Sequence, residues 1–575
     1  MSDASIEDNH NISIEGARKA RRGLTQVRIR MVMLGLLVLF GLVAARLIQL
    51  GYADIDTSVT GEARDVIMAS RPAILDRNGI EMAVDIRVPS LYAEPRRIID
   101  VEEAVEKLRR ELPELEENWL RKRLTGDEGF VWIARELTPQ LQERIFRLGI
   151  PGVDFRTESK RFYPGGNEAA HILGSVNRDN QGIAGFERHI DNEDIALLQN
   201  IGLARGRVLE PVQMSVDMRV QHALREQLAD ALVRYQAIAA AGVILDVKTG
   251  EVLALSSLPD FDPNIPSSAL EPYENQEGAR INRITAGKFE LGSTFKTITF
   301  AAALDSGRVS ITDEFDARFG IRFGRYTIDD FHGKHTILSV PEIYKYSSNI
   351  GTIKMMQELG KENYRAFLTQ MGFDDPLPIE LPETTLSSIP DKFSDVGAAT
   401  ASFGHGLSIT PLHMAAAVAG LVNNGKYVPP TLYRRSEADA ELLHRQLISP
   451  QTSAQIRYLL RLNALEGSGS RANNIAAGYR IGGKTGTAEK VIDGQYSSDK
   501  SLAIFASAFP LDDPKYVMVI LVDEPEKENE QSGRTAGWNA GEVTGRIVQR
   551  IAPLLGVYPD FDDTIDAALV PVLLR

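Results

Sequence analysis

Three short stretches of the chain carry side chains that could work together. In GSTFK, Ser293 and Lys296 are three residues apart, so one helical turn puts a hydroxyl and an amine on the same face. A serine hydroxyl is a poor nucleophile until a base lies within hydrogen-bond reach, and apolar surroundings lower a lysine's pKa until it can take the proton. Ser347 and Asn349 in YSSNIG add a second hydroxyl and an amide, and Lys484, Thr485, Gly486 and Thr487 add a cation and two hydroxyls at the start of a strand, after two glycines, Gly482 and Gly483, that let a substrate backbone approach. Together they suit acyl transfer through a serine. A second chemistry competes for the last stretch: GYRIGGKT, Gly478 to Thr485, fits the phosphate-cradling pattern G-x-x-x-x-G-K-T, and VMVILVDEP downstream ends in the acids a nucleotide hydrolase would use.

Each pattern alone is close to chance. Ser-x-x-Lys recurs at Ser497 to Lys500, Ser-x-Asn at Ser175 to Asn177, and Lys-Thr-Gly at Lys248 to Gly250. The elements around them discriminate. TFKTITFAAALDSG is an apolar helix, so Ser293 sits where unpaired amides favour a developing anion. Ser497 lies in a hydrophilic stretch, and Lys248 occupies the turn of a hairpin, AAAGVILDVKTGEVLALSS. PEIYKYSSNIGTIKMM reads as one helix presenting Ser347 and Asn349 to a cleft, whereas Ser175 belongs to a loop-rich region. Only one ordered triple, at 293, 347 and 484, falls inside one domain.

A phosphate loop needs a buried strand before it and a helix directly after its Lys-Thr, because the helix N-terminus aims its free amides at the phosphates. Here RANNIAA precedes Gly478, and AEKVIDGQYSSDK follows with a turn at Asp493-Gly494. Strand, hairpin turn, strand is the better reading. Nucleotide binding stays as a remote alternative.

The chain has 575 residues, enough for more than one domain, with 43% hydrophobic and 25% charged residues, as in ordered globular protein. A net charge of -14 disfavours nucleic acid as a partner. Cysteine is absent, which excludes disulfides, thiolate nucleophiles and cysteine-ligated metals. Arg18, Lys19, Arg21, Arg22, Arg28 and Arg30 precede the uncharged run Met31 to Ala45, with apolar character through Leu50. About 20 such residues cross a bilayer. The basic cluster predicts a cytoplasmic N-terminus and an exported remainder, on an uncleaved anchor.

The expected organisation is a basic leader over 1–30, an anchor over 31–50, a non-catalytic pedestal over 51–237, a catalytic domain over 238–553 and a tail over 554–575. In the pedestal, VEEAVEKLRRELPELEENWLRKRL reads as surface helices, and RPAILDRNGIEMAVD and RFYPGGNEAAHILGSVNRDNQGIAGFE as turn-dense loops. In the catalytic domain, PLHMAAAVAGLVNNG and QIRYLLRLNAL read as helices, and SLAIFASAFP and YVMVILVDEP as strands. The fold class is α+β, a mostly antiparallel sheet surrounded by helices.

With these motifs in order, the chain resembles the class B penicillin-binding proteins, membrane-anchored peptidoglycan transpeptidases. The likeness runs through the anchor, RPAILDRNGIEMA, SVDMRVQ, NRITAGKFELGSTFK, GHGLSITPLHMAAA and GGKTGTAEK. Its length and basic leader are most similar to the division-specific, FtsI-like branch, with the elongation-specific branch as alternative. The resemblance implies the penicillin-binding transpeptidase fold, an elongated pedestal and one transmembrane helix. It implies Ser293 as nucleophile, Lys296 as base, Ser347 and Asn349 as proton relay and amide contact, and Lys484 with Thr485, Gly486 and Thr487 as the site for the substrate carboxylate. The backbone N–H groups of Ser293 and Thr487 would form the oxyanion hole. It further implies peptidoglycan stem peptides as substrate, β-lactams as inhibitors, a SEDS-type glycan polymerase and other divisome membrane proteins as partners, and residence in the bacterial inner membrane. No metal or cofactor is implied. Pro72, where the family has glycine, and GWNAGEVTGRIV, where it often has Ala-Ala-Pro-Val-Phe, depart from the pattern. His405 reads as a loop histidine satisfying nearby backbone.

Overall fold

The computed structural model describes residues 31, 33–44, 71–192, 210–265, 276–492 and 495–574. The expected leader at 1–30, the anchor's last residues and the first part of the pedestal, 51–70, lie outside that set. Residues 33–44 of the expected anchor are helical. Among the described residues no helix is long and apolar enough to cross a membrane.

From residue 71 onward the described residues build two five-stranded sheets and four two-stranded ones, and the larger two organise the fold. The first contains β1 (Ile74–Leu75), β2 (Glu81–Ala93), β3 (Val131–Ala134), β4 (Val153–Phe162) and β5 (Val212–Gln213). The stretch read as a loop, RPAILDRNGIEMAVD, contributes β1 and the start of β2. Its Asp-Arg-Asn-Gly turn is real: Asp76 accepts from the Asn78 and Ile80 amides at 2.7 and 2.8 Å. The strand beyond escaped detection because β2 pairs with three strands, β1, β3 and β4, along its length, so its alternation is blurred. The stretch read as surface helices forms two, α1 (Val101–Glu111) and α2 (Glu117–Leu124), either side of Pro113, and they bury Leu108 and Leu120 in a small core of their own. Arg161 lies buried at the base of this region, bonded to Glu187 at 2.6 Å, Asp85 at 3.0 Å and the Pro72 carbonyl at 2.9 Å. Pro72 can stand at its position because the contact uses only its carbonyl.

The second sheet is antiparallel throughout. Its strands β6 (Ala239–Asp246), β7 (Val252–Leu258), β8 (Gly482–Ile492), β9 (Gln495–Phe509) and β10 (Tyr516–Asp523) lie in the order β8-β9-β10-β6-β7. β10 is apolar at successive positions because both faces are covered. Val517, Val519 and Leu521 enter one core, and Met518, Ile520 and Val522 the other. On the first face lie α4 (Lys296–Asp305), α7 (Pro411–Val422) and α8 (Pro450–Glu466). Every residue of α7 is buried, which explains a helix apolar all round. On the second face lie α3 (Met218–Arg234) and α9 (Ala540–Leu554), the latter formed by the divergent GWNAGEVTGRIV segment.

The two regions are joined by a buried carboxylate. Glu251, in the turn of the β6–β7 hairpin, meets Arg77 of the Asp-Arg-Asn-Gly turn at 3.1 Å and Arg434 at 3.3 Å. Asn167 and Glu168 also bridge, to Asp260 and His222.

Candidate active site

β8 forms one wall of the site. It runs directly into a hairpin partner, with no helix after Lys484-Thr485, so the geometry is not that of a phosphate loop. Two glycines bring a tight helical turn, Gly292–Phe295, against this strand. A Cβ on Gly486 would stand 2.2 Å from the Leu291 carbonyl, and Gly292 adopts φ 53° with the Thr487 backbone beside it. Ser293 is thus held next to Thr487, half-buried at the mouth of the turn. The α-helix itself begins one turn later, at Lys296, whose amide donates to the Ser293 carbonyl.

The second motif departs from the one-helix reading. α5 (Val340–Tyr346) stops at Ser347, which takes the left-handed conformation at φ 58° and ψ 41°. A new helix, α6 (Asn349–Leu359), starts after Ser348, whose hydroxyl accepts from the Gly351 amide at 2.9 Å. The reversal turns Ser347 into the cleft instead of leaving it on a helix flank.

The three segments meet at that serine. Lys296 Nζ donates to the Ser347 carbonyl at 2.5 Å, to its hydroxyl at 3.1 Å and to Asn349 Oδ1 at 2.8 Å. Lys484 Nζ donates to the same hydroxyl at 3.0 Å. Both lysines are 0% exposed. Burial, together with the positive charge of Lys484, holds Lys296 well below the ordinary lysine range, and Asp330 pulls in the opposite direction. Burial alone lowers Lys484 to about 7. A neutral amine can therefore exist here at ordinary pH, as a general base requires.

Around this node, Thr485 pairs its hydroxyl with that of Ser468, and Thr487 accepts from the Ala536 amide at 3.1 Å while remaining exposed to the cleft. Asn463 donates to the Gly483 carbonyl at 2.7 Å and steadies the start of β8. His405 donates its backbone amide to the Thr400 carbonyl at 3.0 Å; burial lowers its pKa, with Glu290, Lys296 and Glu489 acting on it by charge. The neighbouring Gly406 amide donates to Glu290 at 3.0 Å. Sequence reasoning missed Ser468, Asn463 and Asp330. Asn463 lies in α8, read as a helix but with nothing in its spacing to mark the amide as a site contact, while Ser468 stands in a Gly-Ser-Gly-Ser turn and Asp330 in a polar loop, stretches with no period that distinguishes a positioned side chain from a solvated one.

Comparison with known proteins identifies the two regions that form these sheets. Residues 240–548 match the penicillin binding protein transpeptidase domain, and residues 66–197 match the penicillin-binding protein dimerisation domain. A probable peptidoglycan D,D-transpeptidase FtsI from Caulobacter vibrioides is 36% identical, over 85% of this chain and 82% of that protein. Stage V sporulation protein D from Bacillus subtilis is 30% identical, over 91% and 85%. A crystal structure of penicillin binding protein 3 from Mycobacterium tuberculosis, complexed with aztreonam, superposes with a TM-score of 0.65 at 23% identity, covering 85% of this chain and 97% of that one, and shows the shared fold.

Proposed function

The chain belongs to the class B penicillin-binding proteins, serine D,D-transpeptidases, and from that premise we propose that it cross-links septal peptidoglycan from a membrane anchor at 31–50. The observation that carries the chemical part is the Ser347 hydroxyl, within 3.1 Å of Lys296 Nζ and 3.0 Å of Lys484 Nζ.

In this reading Lys296, neutral, takes the proton of Ser293 as its Oγ attacks the carbonyl of the penultimate D-alanine. An ester forms and the amide C–N bond breaks. Ser347 passes the proton to the departing nitrogen, and the terminal D-alanine leaves. Lys484 attracts the substrate carboxylate, with Thr485 and Thr487 as hydrogen-bond donors, and Asn349 holds the peptide amide. The N–H groups of Ser293 and Thr487 receive the oxyanion, each worth roughly 3 kcal/mol in comparable sites. An amine from a second stem peptide then attacks the ester, its proton returns through Lys296, and Ser293 is regenerated with a new cross-link.

The FtsI relative from Caulobacter vibrioides supports the septal assignment. A SEDS-type glycan polymerase is the partner that assignment calls for, reached through the anchor and the pedestal. β-Lactams would be trapped on Ser293 as slowly hydrolysed esters.

Fluorescent penicillin with mass mapping tests the chemistry. A stable adduct on Ser293, absent in Ser293→Ala, is the expected result, and a folded protein with no adduct would sink it. Depletion in the native cell tests the role: blocked septation with elongation continuing supports it, and loss of elongation assigns the enzyme to the lateral wall.

A further inference from the structure

Asp330 lies in the polar loop between the strands Tyr326–Ile328 and Ile337–Ser339. Its carboxylate organises the start of α6 from outside that helix. One oxygen accepts from the Asn349 and Ile350 amides at 2.5 and 3.0 Å, and the other accepts from the Ser348 hydroxyl at 2.7 Å. With Ser348 accepting from Gly351, three of the helix's free amides are satisfied, and the negative charge stands at the positive end of the helix. The preceding carbonyl, of Asp329, accepts from Asn349 Nδ2 at 3.3 Å. That contact leaves Asn349 Oδ1 facing Lys296.

The turn that carries Ser347 and Asn349 is therefore gripped by a loop from another part of the chain, at the point where it meets the buried amine. We propose that Asp330 is a positioning residue for acyl transfer, locking the Ser347–Asn349 turn onto Lys296 and placing one fixed negative charge beside that amine. The proposal rests on Lys296 serving as base. Lys484 reaches the amine from β8 with a positive charge, Asp330 acts from its loop with a negative one, and His405 faces it from the loop before α7. Removing the Asp330 charge shifts the balance toward the neutral amine, so the base becomes available at lower pH.

The test is the second-order rate of acylation of the full chain by fluorescent penicillin, measured against pH. Asp330→Asn keeps an oxygen acceptor for the two amides and loses the charge. It should lower the plateau rate by about threefold and move the acid limb of the profile to lower pH. Asp330→Ala loses the grip as well, and its plateau should fall about a hundredfold, the scale of a small misplacement of catalytic groups. If Asp330→Ala does not fold, the displaced acid limb of Asp330→Asn decides alone. An unmoved acid limb in Asp330→Asn, whatever happens to its melting temperature, overturns the proposal. Failure of the unsubstituted protein to acylate at Ser293 would instead overturn the acyl-transfer reading beneath it.

Discussion

Lys296 and Lys484 come from different elements, a helix start and a strand, and donate to one acceptor, the Ser347 hydroxyl, at 3.1 and 3.0 Å. Two buried ammonium groups cannot both stay charged so near each other at low cost. In the mechanism proposed above, the proton this pair holds is the one that moves from the nucleophile to the leaving group.

Acylation should rise with pH on its acid side. Lys296 is pushed down from its ordinary value by burial and by Lys484, so its neutral form appears as pH climbs through the lowered value. Lys296→Arg keeps the charge but cannot lose the proton, and should acylate about 10²–10⁴-fold more slowly, with no recovery at alkaline pH. A normal rate in Lys296→Arg would remove Lys296 from the role of base.

Burial of Lys484 also has a stability signature. Its folded value, about 7, lies below the unfolded one, so between them the unfolded chain binds more protons and stability rises with pH. Lys484→Met should flatten that rise in melting temperature from neutral to mildly alkaline pH while abolishing acylation. An identical pH slope in both proteins would show that Lys484 is charged when folded.

Ser347→Gly should separate stability from activity. At φ 58° a side chain costs about 1 kcal/mol that glycine does not pay, so the variant should melt higher. Without the hydroxyl between the lysines its acylation rate should nevertheless drop at least tenfold. A less stable Ser347→Gly would mean that the side-chain contacts outweigh the backbone strain.

Gly486→Ala places a methyl group 2.2 Å from the Leu291 carbonyl and 3.0 Å from the Thr294 amide, and must push the Ser293 turn off the strand. Acylation should fall about a hundredfold. Gly129→Ala, with nothing within 4 Å, is the control and should acylate normally. Comparable rates for the two variants would show that the turn does not depend on this close approach.

Arg161→Ala removes the buried guanidinium that Glu187 and Asp85 share, while Arg71 still pairs with Glu187 at 2.9 Å, so the loss should sit toward the lower end of the about 3–5 kcal/mol seen when a buried pair is broken. The melting temperature should fall well below that of the parent, while penicillin acylation of the folded protein at room temperature persists. Loss of acylation in a protein that remains folded would show that the pedestal controls the catalytic geometry.

Much of this molecule can be read along the chain. The continuous apolar runs of β6, β7 and β10, the apolar stretch of β9 and the apolar α7 are local features, and local apolar patterning is what a sequence records directly. The order of GSTFK, SSN and KTGT, and the preference for these copies over Ser175, Lys248 and Ser497, could also be argued from the elements around each. The break at Ser347 could not, because YKYSSNIG satisfies helical spacing throughout and only the docking of α5 and α6 around Lys296 forces the left-handed turn. β2 was obscured by its pairing with three strands, and Asp330 and Ser468 by loops in which no period separates a gripping side chain from a solvated one. The sequence alone determined which side chains the site could draw on and which elements carry them. The tertiary structure decided that two lysines far apart in the chain share one serine hydroxyl, because sheet packing and glycine-permitted close approach depend on contacts between distant segments that no local spacing encodes.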